Sequence, residues 1–573
     1  MSRSLVFVFL GLFAAAGVAA SPAPDANVPS ILWNQPAPHS ADATGCVPAA
    51  SPVANRGIAV GPDQNPVFLG DVARFASTLV LAKYDRQTGE RLWCTSFQVR
   101  ATIGGVPFNV AFAQAGGVAV DSNGTIFIAG HGVSTPFSVP FPGVPGLPAP
   151  TPVLRYFVIT CSASGVCAPF ATLINPGITA THTDNIGGIA IGPDGNPVLT
   201  GVATFPASTP SKPSTFKLLT VKVSRATLAP LGVAQGDTNA PVTGSRVAVA
   251  VDSLNNIVVT GTEASTSKYD ALLSRQLWNA RIAGSGVAIT SSGRGGDRDD
   301  HGSSDRGGDR SNNADAVAVA GAPVNDASGR RHFTIAVLDG ARGNTVWTAP
   351  YNSGFDDNPR DIAADQNGNI VVAADTSGST GSPAVVFQRG VLVSVNGRGQ
   401  LNWMVVIPSS LDDRSLHSIT RIALGADGAP VVSEDSRNDP SATVAHQIIQ
   451  LDFDHDRHGR DGRDDDEDDN DGRKDRGALA WDQPVTDTVT GFLVCVDSQP
   501  VSACQDVGKP EAIVLPSTTV GTFTYQFDLA KITALTKGQH TLAVVAYNGE
   551  ITGGESAGLT VETDNGRRHH GRD

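Results

Sequence analysis

A chain of 573 residues is longer than the roughly 250–300 at which a single hydrophobic core stops growing, so more than one structural unit is expected. Its 62 glycines and 37 prolines against two methionines point to turn-rich β structure and away from helical bundles. The net charge of −14 argues against nucleic acid as a partner, because phosphates need basic patches. Residues 1–20 read as a signal peptide. Ser2-Arg3-Ser4 is a short positive start, Leu5 to Ala20 is almost wholly apolar, and Val18-Ala19-Ala20 sets small residues before Ser21. That apolar stretch is short of the roughly 20 residues a spanning helix needs. No cysteine follows it, which argues against a lipid anchor, and no later segment is long and apolar enough to span. A secreted protein, extracellular or periplasmic and not membrane-spanning, is expected.

From residue 30 onward the sequence repeats. One element is an alternating apolar strand, a polar turn rich in Asp, Asn and Gly, and a second strand ending in Gly or a small residue. Its copies run over Ile58–Gly70 (IAVGPDQNPVFLG), Val118–Gly130, Ile189–Gly201, Val249–Gly261, Ile362–Asp375 and Ile422–Glu434. Asn and Gly tolerate positive φ and Asp bonds its own backbone, so these turns have a mechanism. A second element follows several copies: apolar strand, polar turn with Gly, then a strand bearing Trp. Examples are Leu79–Trp93, Thr334–Trp347 and Val391–Trp403, with Trp278 closing a shorter copy after Lys268-Tyr269-Asp270. A further unit starts at Gly286–Thr290 and resumes at Ala316–Ala320, its turn replaced by a low-complexity Gly/Arg/Asp-rich insertion over 293–313.

Four strands per unit and seven units predict an all-β fold, a β-propeller of about seven four-stranded blades over 30–453. Trp33 precedes the first complete unit, and the spacing predicts that its strand joins the last blade and closes the ring. The units resemble the SBBP-type bacterial β-propeller repeat, with its D-x-x-G-N-x-x-V-x-G and K-Y-D-x-x-G-x-x-x-W pattern. The Trp-bearing half is also similar to the repeat of quinoprotein propellers.

Asp452–Arg476 carries twelve acidic residues against six Lys or Arg, and residues 454–476 read as an acidic Asp/Arg-rich linker unable to bury a core. Beyond it, 477–563 has its own strand pattern: Leu479-Ala-Trp481-Asp-Gln-Pro484, then Thr490-Gly-Phe492, then Leu535 to Asn548 with His540, then Gly554-Glu555-Ser556. This resembles a fibronectin type III domain, with His540 where such domains often carry the corner Tyr. The resemblance implies that Trp481 is a core residue. Residues 564–573 are a polar tail.

Six cysteines in an exported chain imply disulfides. Cys161 and Cys167 flank one turn, Cys495 and Cys504 another, and Cys46 with Cys94 remains by elimination. A zinc site is the rival reading, but C-x2-C spacing is missing. The chain has no H-E-x-x-H or P-loop motif. His131, His182, His417 and His446 read as packed or solvated residues. Asp63, Asp121, Asp194, Asp252, Asp365 and Asp427 recur at turns, which points to turn formation, since a catalytic pair would occur once. No cofactor is expected. Ca2+ is the one ion the acidic run suggests, at Glu467–Gly472. Glu in first place, Ala478 in twelfth and the interleaved cations oppose it. These readings favour an exported, non-catalytic binding or scaffold protein that contacts protein or carbohydrate at the cell surface or outside the cell. The alternative class is a secreted propeller enzyme, either a quinoprotein-like oxidoreductase or a lyase or hydrolase on extracellular polymer.

Overall fold

In the computed structural model the description covers the strands and tight turns of the chain between residues 29 and 563. It omits chiefly 38–45, 47–52, 73–77, 134–153, 175–182, 206–213, 239–245, 291–314, 381–384, 408–415, 438–444, 453–477, 485–490 and several stretches after 497. The expected signal peptide 1–20, insertion 293–313, linker 454–476 with its Ca2+ candidate, and tail 564–573 lie outside the described residues.

Alternation of apolar residues makes each repeat an antiparallel sheet buried on both faces. Blade 1 is β2 (Val53–Val60), β3 (Pro66–Val72), β4 (Thr78–Tyr84) and β5 (Arg91–Gln98). A hairpin of β6 (Arg100–Ile103) and β7 (Val106–Asn109) leads to blade 2, which is β8 (Ala111–Val120), β9 (Ile126–Val133), β10 (Leu154–Cys161) and β11 (Thr172–Leu173). Blade 3 is β12 (Thr183–Ile191), β13 (Pro197–Phe205), β14 (Thr215–Val223) and β15 (Pro230–Asp237). Blade 4 is β16 (Val247–Val251), β17 (Ile257–Gly261), β18 (Ala264–Tyr269) and the first half of β19 (Gln276–Thr290). The second half of β19 opens blade 5, followed by β20 (Ala316–Gly321), the short β21 (Val324–Asn325), β22 (Arg331–Leu338) and β23 (Thr345–Tyr351). Blade 6 is β24 (Asp356–Ala364), β25 (Ile370–Thr380), β26 (Val385–Val395) and β27 (Leu401–Ile407). Blade 7 is β28 (Leu416–Leu424), β29 (Pro430–Arg437), β30 (Ala445–Asp452) and, from the other end of the sequence, β1 (Ser30–Pro36). In that last pair Gln35 faces Ile448 and Trp33 faces Gln450.

The seams between blades show that the sheets form a closed ring. Adjacent residues of a middle strand point into opposite seams, as the period of two requires. Val67 and Leu69 pack with Ile128 and Phe157 of blade 2, while Phe68 between them packs with Trp33, Val431 and Ile448 of blade 7. Ile257 and Val259 meet Val198 and Leu218 of blade 3, while Val258 meets Val317 and Val319 of blade 5. Val372 shares a cluster with Phe333 and Ile335, while Val371 shares one with Val432 and Ile449. The blade 2–3 seam holds Phe127, Tyr156, Leu199 and Leu219. The cycle therefore passes through every neighbouring pair and returns from blade 7 to blade 1. This is a seven-bladed β-propeller.

The recurring tryptophan acts at these seams. Each indole N–H donates to a backbone oxygen in the next blade's outer turn: Trp33 to Arg86 (2.7 Å), Trp93 to Ala163 (3.1 Å), Trp278 to Gly340 (3.1 Å) and Trp347 to Gly397 (2.9 Å). Each ring lies on a glycine of that turn. Gly89 illustrates why: its φ is +71°, and a Cβ there would stand 2.7 Å from Trp33.

A separate pair of sheets follows residue 477. One joins β31 (Ala478–Pro484), β35 (Thr522–Asp528) and β34 (Ala512–Ile513). The other joins β33 (Gln505–Gly508), β32 (Gly491–Val496), β36 (Gly538–Asn548), β37 (Ile551–Glu555) and β38 (Leu559–Thr563). Disulfides join Cys46 to Cys94, Cys161 to Cys167 and Cys495 to Cys504.

Two outcomes are expected from the closure. Trp33→Ala removes a buried indole from the blade 7–1 seam and should lower unfolding free energy by about 3–5 kcal/mol, read from urea titration. Leu254→Ala, at an exposed turn, should stay within about 0.5 kcal/mol; equal effects would contradict the latch. Cys46–Cys94 ties the chain after β1 to β5, across the same seam. Replacing both with Ser should cost about 4 kcal/mol for its 48-residue separation by the chain-entropy estimate. Free thiols at these positions in protein produced in an oxidising compartment, seen by mass spectrometry, would contradict the pairing.

Candidate functional site

The turn carboxylates have local duties. Asp121, Asp252 and Asp365 each accept two backbone N–H groups within their own turns, at 2.7–2.9 Å. Asp63, Asp194 and Asp427 accept from Asn65, Asn196 and Ala429. Several also anchor a cation. Lys83 meets Asp63, Lys222 meets Asp194 and Lys268 meets Asp252, each at 2.6 Å, and Arg225 and Arg86 reach across seams to Asp121 and Asp427. Burial pushes Asp63 up, but the Lys83 bond and charge and the Asn65 amides outweigh it and hold the carboxyl below its ordinary value. These groups are committed to turns and seams.

The unassigned chemistry lies at the axis. The innermost strands β2, β8, β12, β16, β19, β24 and β28 converge on a central channel of about 600 Å³. Six of the seven carry a bulge at the same place, one residue either side of Arg56, Gly116, Gly187, Ser285, Arg360 and Thr420. A bulge re-aims side chains locally and often stands beside functional sites. In blade 4 the sheet register begins at Val247, and Arg246 stands directly before it. Blades 2 and 3 have glycine at the bulge because the inner strands nearly touch. A Cβ on Gly116 would lie 2.2 Å from Ile186, and one on Gly187 1.9 Å from Val247. The channel wall is thus bare backbone on one side. Elsewhere it carries Arg56, Arg246, Arg360, Arg421, Asn55 and Asp361.

Two of the four arginines are paired. Arg56 bonds Asp71 at 2.7 Å and Arg360 bonds Asp375 at 2.5 Å. Asp375, buried, also accepts from Ser418 Oγ (2.8 Å), Ile419 N–H (3.0 Å) and Gln388 (3.2 Å), which fastens blade 6 to blade 7. Burial pushes its pKa up, while Arg360 pulls it down. Arg246 donates to the Arg360 backbone oxygen at 3.0 Å, and Arg421 to that of Thr420 at 3.2 Å. Neither has a carboxylate within ion-pair distance among the described residues. Burial, with Arg360 and Arg421 nearby, lowers Arg246 to about 9. Asp361 accepts N–H from Ile362 (3.0 Å) and Ile422 (3.3 Å); burial raises it, against the charges of Arg421 and Arg246. Asn55 donates to the Glu434 oxygen and to Asp435 Oδ1, while its own buried Oδ1 has no donor among the described residues.

The histidines are packed into this frame. His131 accepts N–H from Ile186 through Nδ1 at 3.3 Å, and burial together with Arg56 lowers it to about 4, so it is neutral at pH 7. His417 Nδ1 meets Glu434 Oε1 at 2.6 Å, both buried. His182 and the His446 side chain lie outside the described residues.

The channel arginines were not among the residues that motif reading selects. Aligning the seven copies on Ile58, Val118, Ile189, Val249, Val287, Ile362 and Ile422 and then looking at the three preceding positions finds them. Those positions hold glycine or small residues in some blades and charge in others. The apolar run starts one residue too late to include them.

No family model matches the chain, and no curated protein matches it. Among solved structures it is similar to BamB from Moraxella catarrhalis, at 10% identity over 69% of this chain and 85% of that one, with a TM-score of 0.30. It is similar to a protein of unknown function from Dyadobacter fermentans at 12% identity, 70% and 95% coverage and TM-score 0.34. It is similar to the C-terminal WD40 domain of Sif2 at 8% identity, 70% and 97% coverage and TM-score 0.36. The propeller assignment rests on strand pairing and seam packing, independently of these likenesses.

Proposed function

We propose that the chain is an exported binding or scaffold protein that holds a protein or carbohydrate partner outside the cytoplasm. The observation that carries this reading is the convergence of seven inner strands on one channel whose polar groups are hydrogen-bond donors and acceptors held by bulges. Guanidinium groups, an amide and bare backbone recognise; a nucleophile held by a base is a different arrangement. The buried histidines His131 and His417 are bonded within the ring, to Ile186 N–H and Glu434. Three disulfides suit an oxidising compartment. Among the described residues no helix is long and apolar enough to cross a membrane.

The SBBP-like reading draws support from the repeated duties of its motif residues: Lys83 and Lys268 tie to turn aspartates, and Trp93, Trp278 and Trp347 cap the next blade. The fibronectin-like reading draws support from pairing order. β31 pairs with β35 in one sheet, while β32 lies between β33 and β36 in the other. His540 bonds Asp497 at 2.8 Å and Thr541 N–H bonds the same carboxylate, tying β36 to the end of β32 near the place where a corner Tyr would act. A second module of this kind adds contact surface to the ring.

The test uses the full, disulfide-bonded chain. Immobilised, it should retain a protein or glycan from extracellular or cell-surface material saturably, and it should show no turnover with quinone-linked alcohols, sugars or polysaccharides. Robust turnover that disappears on changing one channel residue would replace this reading with an enzymatic one.

A further inference from the structure

The strongest unassigned feature is a pair of arginines on the channel wall, Arg246 and Arg421, with no ion-pair partner among the described residues. Arg56 and Arg360 beside them are paired with Asp71 and Asp375, and Asp361 lies on the same wall. His131 contributes no charge at pH 7. Glu434 is bonded to His417, and Asp435 receives the Asn55 amide. A guanidinium drawn out of water is costly unless an anion faces it.

The two arginines without an ion-pair partner are the ones with capacity to spare. A guanidinium offers five N–H donors. The structure uses one from Arg246 and one from Arg421, both on backbone oxygens. A seam arginine in this protein looks different: Arg225 meets Asp121 and Arg86 meets Asp427, each across a blade boundary. Asn55 lines the same channel, its amide N–H spent on Glu434 and Asp435. A pair of arginine forks is complementary to an oxyanion. The cavity, about 600 Å³, lies within the range of small-molecule sites.

We infer that the central channel is a binding site for a small oxyanion-bearing ligand, a carboxylate or phosphate, held by Arg246 and Arg421. This deepens the binding reading above by naming the chemical class of ligand at the axis. Partners held by the blade loops or the second module do not depend on it. The bare glycine wall of blades 2 and 3 leaves the backbone open to the ligand's other side.

The experiment is a calorimetric and thermal-shift titration of the full chain at low ionic strength. The probes are inorganic phosphate, citrate and galacturonate, with galactose and matched chloride as controls. Phosphate binding and carboxylate binding are separate arms, and either supports the site. The expected result is saturable stabilisation by at least one oxyanion probe and none by galactose or chloride. Affinity should fall tenfold or more in Arg246→Gln and in Arg421→Gln, with strong salt dependence. Arg246→Lys, which keeps charge but loses the fork, serves if the Gln variant folds poorly, and it should weaken binding in the same direction. Asn55→Asp should weaken it by adding negative charge. No oxyanion effect above the chloride control, or affinities unchanged in both arginine variants, would overturn the site. Retention of an extracellular partner by Arg246→Gln at undiminished strength would leave the broader reading standing while the channel assignment fell.

Discussion

The pairing of β1 with β30 is the constraint on which the rest of the structure depends. Six blades and three-quarters of a seventh would leave β30 as an unpaired edge and the ring open. Supplying the last strand from the start of the chain covers β30 and links residues more than 400 positions apart, as when Asn34 bonds Gln447. Closure also forces the inner strands to meet around an axis. The glycines of blades 2 and 3 and the bulges then follow as steric consequences, because a Cβ or an unbroken ladder at those places would not fit. The channel is thus a product of ring closure.

Once closed, the ring is held by repetition of small devices. Middle strands send alternate side chains into alternate seams, so each blade is glued on both faces. Tryptophan caps the neighbouring outer turn in four seams where both partners are described. Turn aspartates anchor lysines whose ammonium groups reach the next blade: Lys222 donates to the Ala271 oxygen at 3.0 Å and Lys268 to that of Gly340 at 2.7 Å. Carboxylates that look abundant enough for catalysis are consumed by this architecture. At the axis, Arg246 and Arg421 have no ion-pair partner among the described residues.

Much of this was legible in the sequence. The turn chemistry of Asp121-Ser-Asn-Gly124 and its relatives predicted the hairpins, and the recurring Trp marked the second strand pair of several units. The spacing of Trp33 predicted the closing strand. The blade 5 unit was recognisable through Val287 and Val317 despite its interrupted turn. Two features were not legible. Blades 4 and 5 share the continuous strand β19, because Gly284 to Gly286 lets one strand turn from outer to inner position without a loop. The arginine cluster was hidden for a different reason: successive members of Arg56, Arg246, Arg360 and Arg421 lie 61 to 190 residues apart and share no local motif. Only the register of the blades brings them to one axis.

The central claim is that β1 is an integral strand of blade 7 and thereby shapes the channel. Hydrogen exchange of the full chain, read by mass spectrometry, tests it most directly. The account predicts that amides of β1 and β30 are protected as strongly as those of β29, and exchange together with them on global unfolding. Rapid, terminus-like exchange of β1, with β30 behaving as an open edge while β29 stays protected, would contradict it.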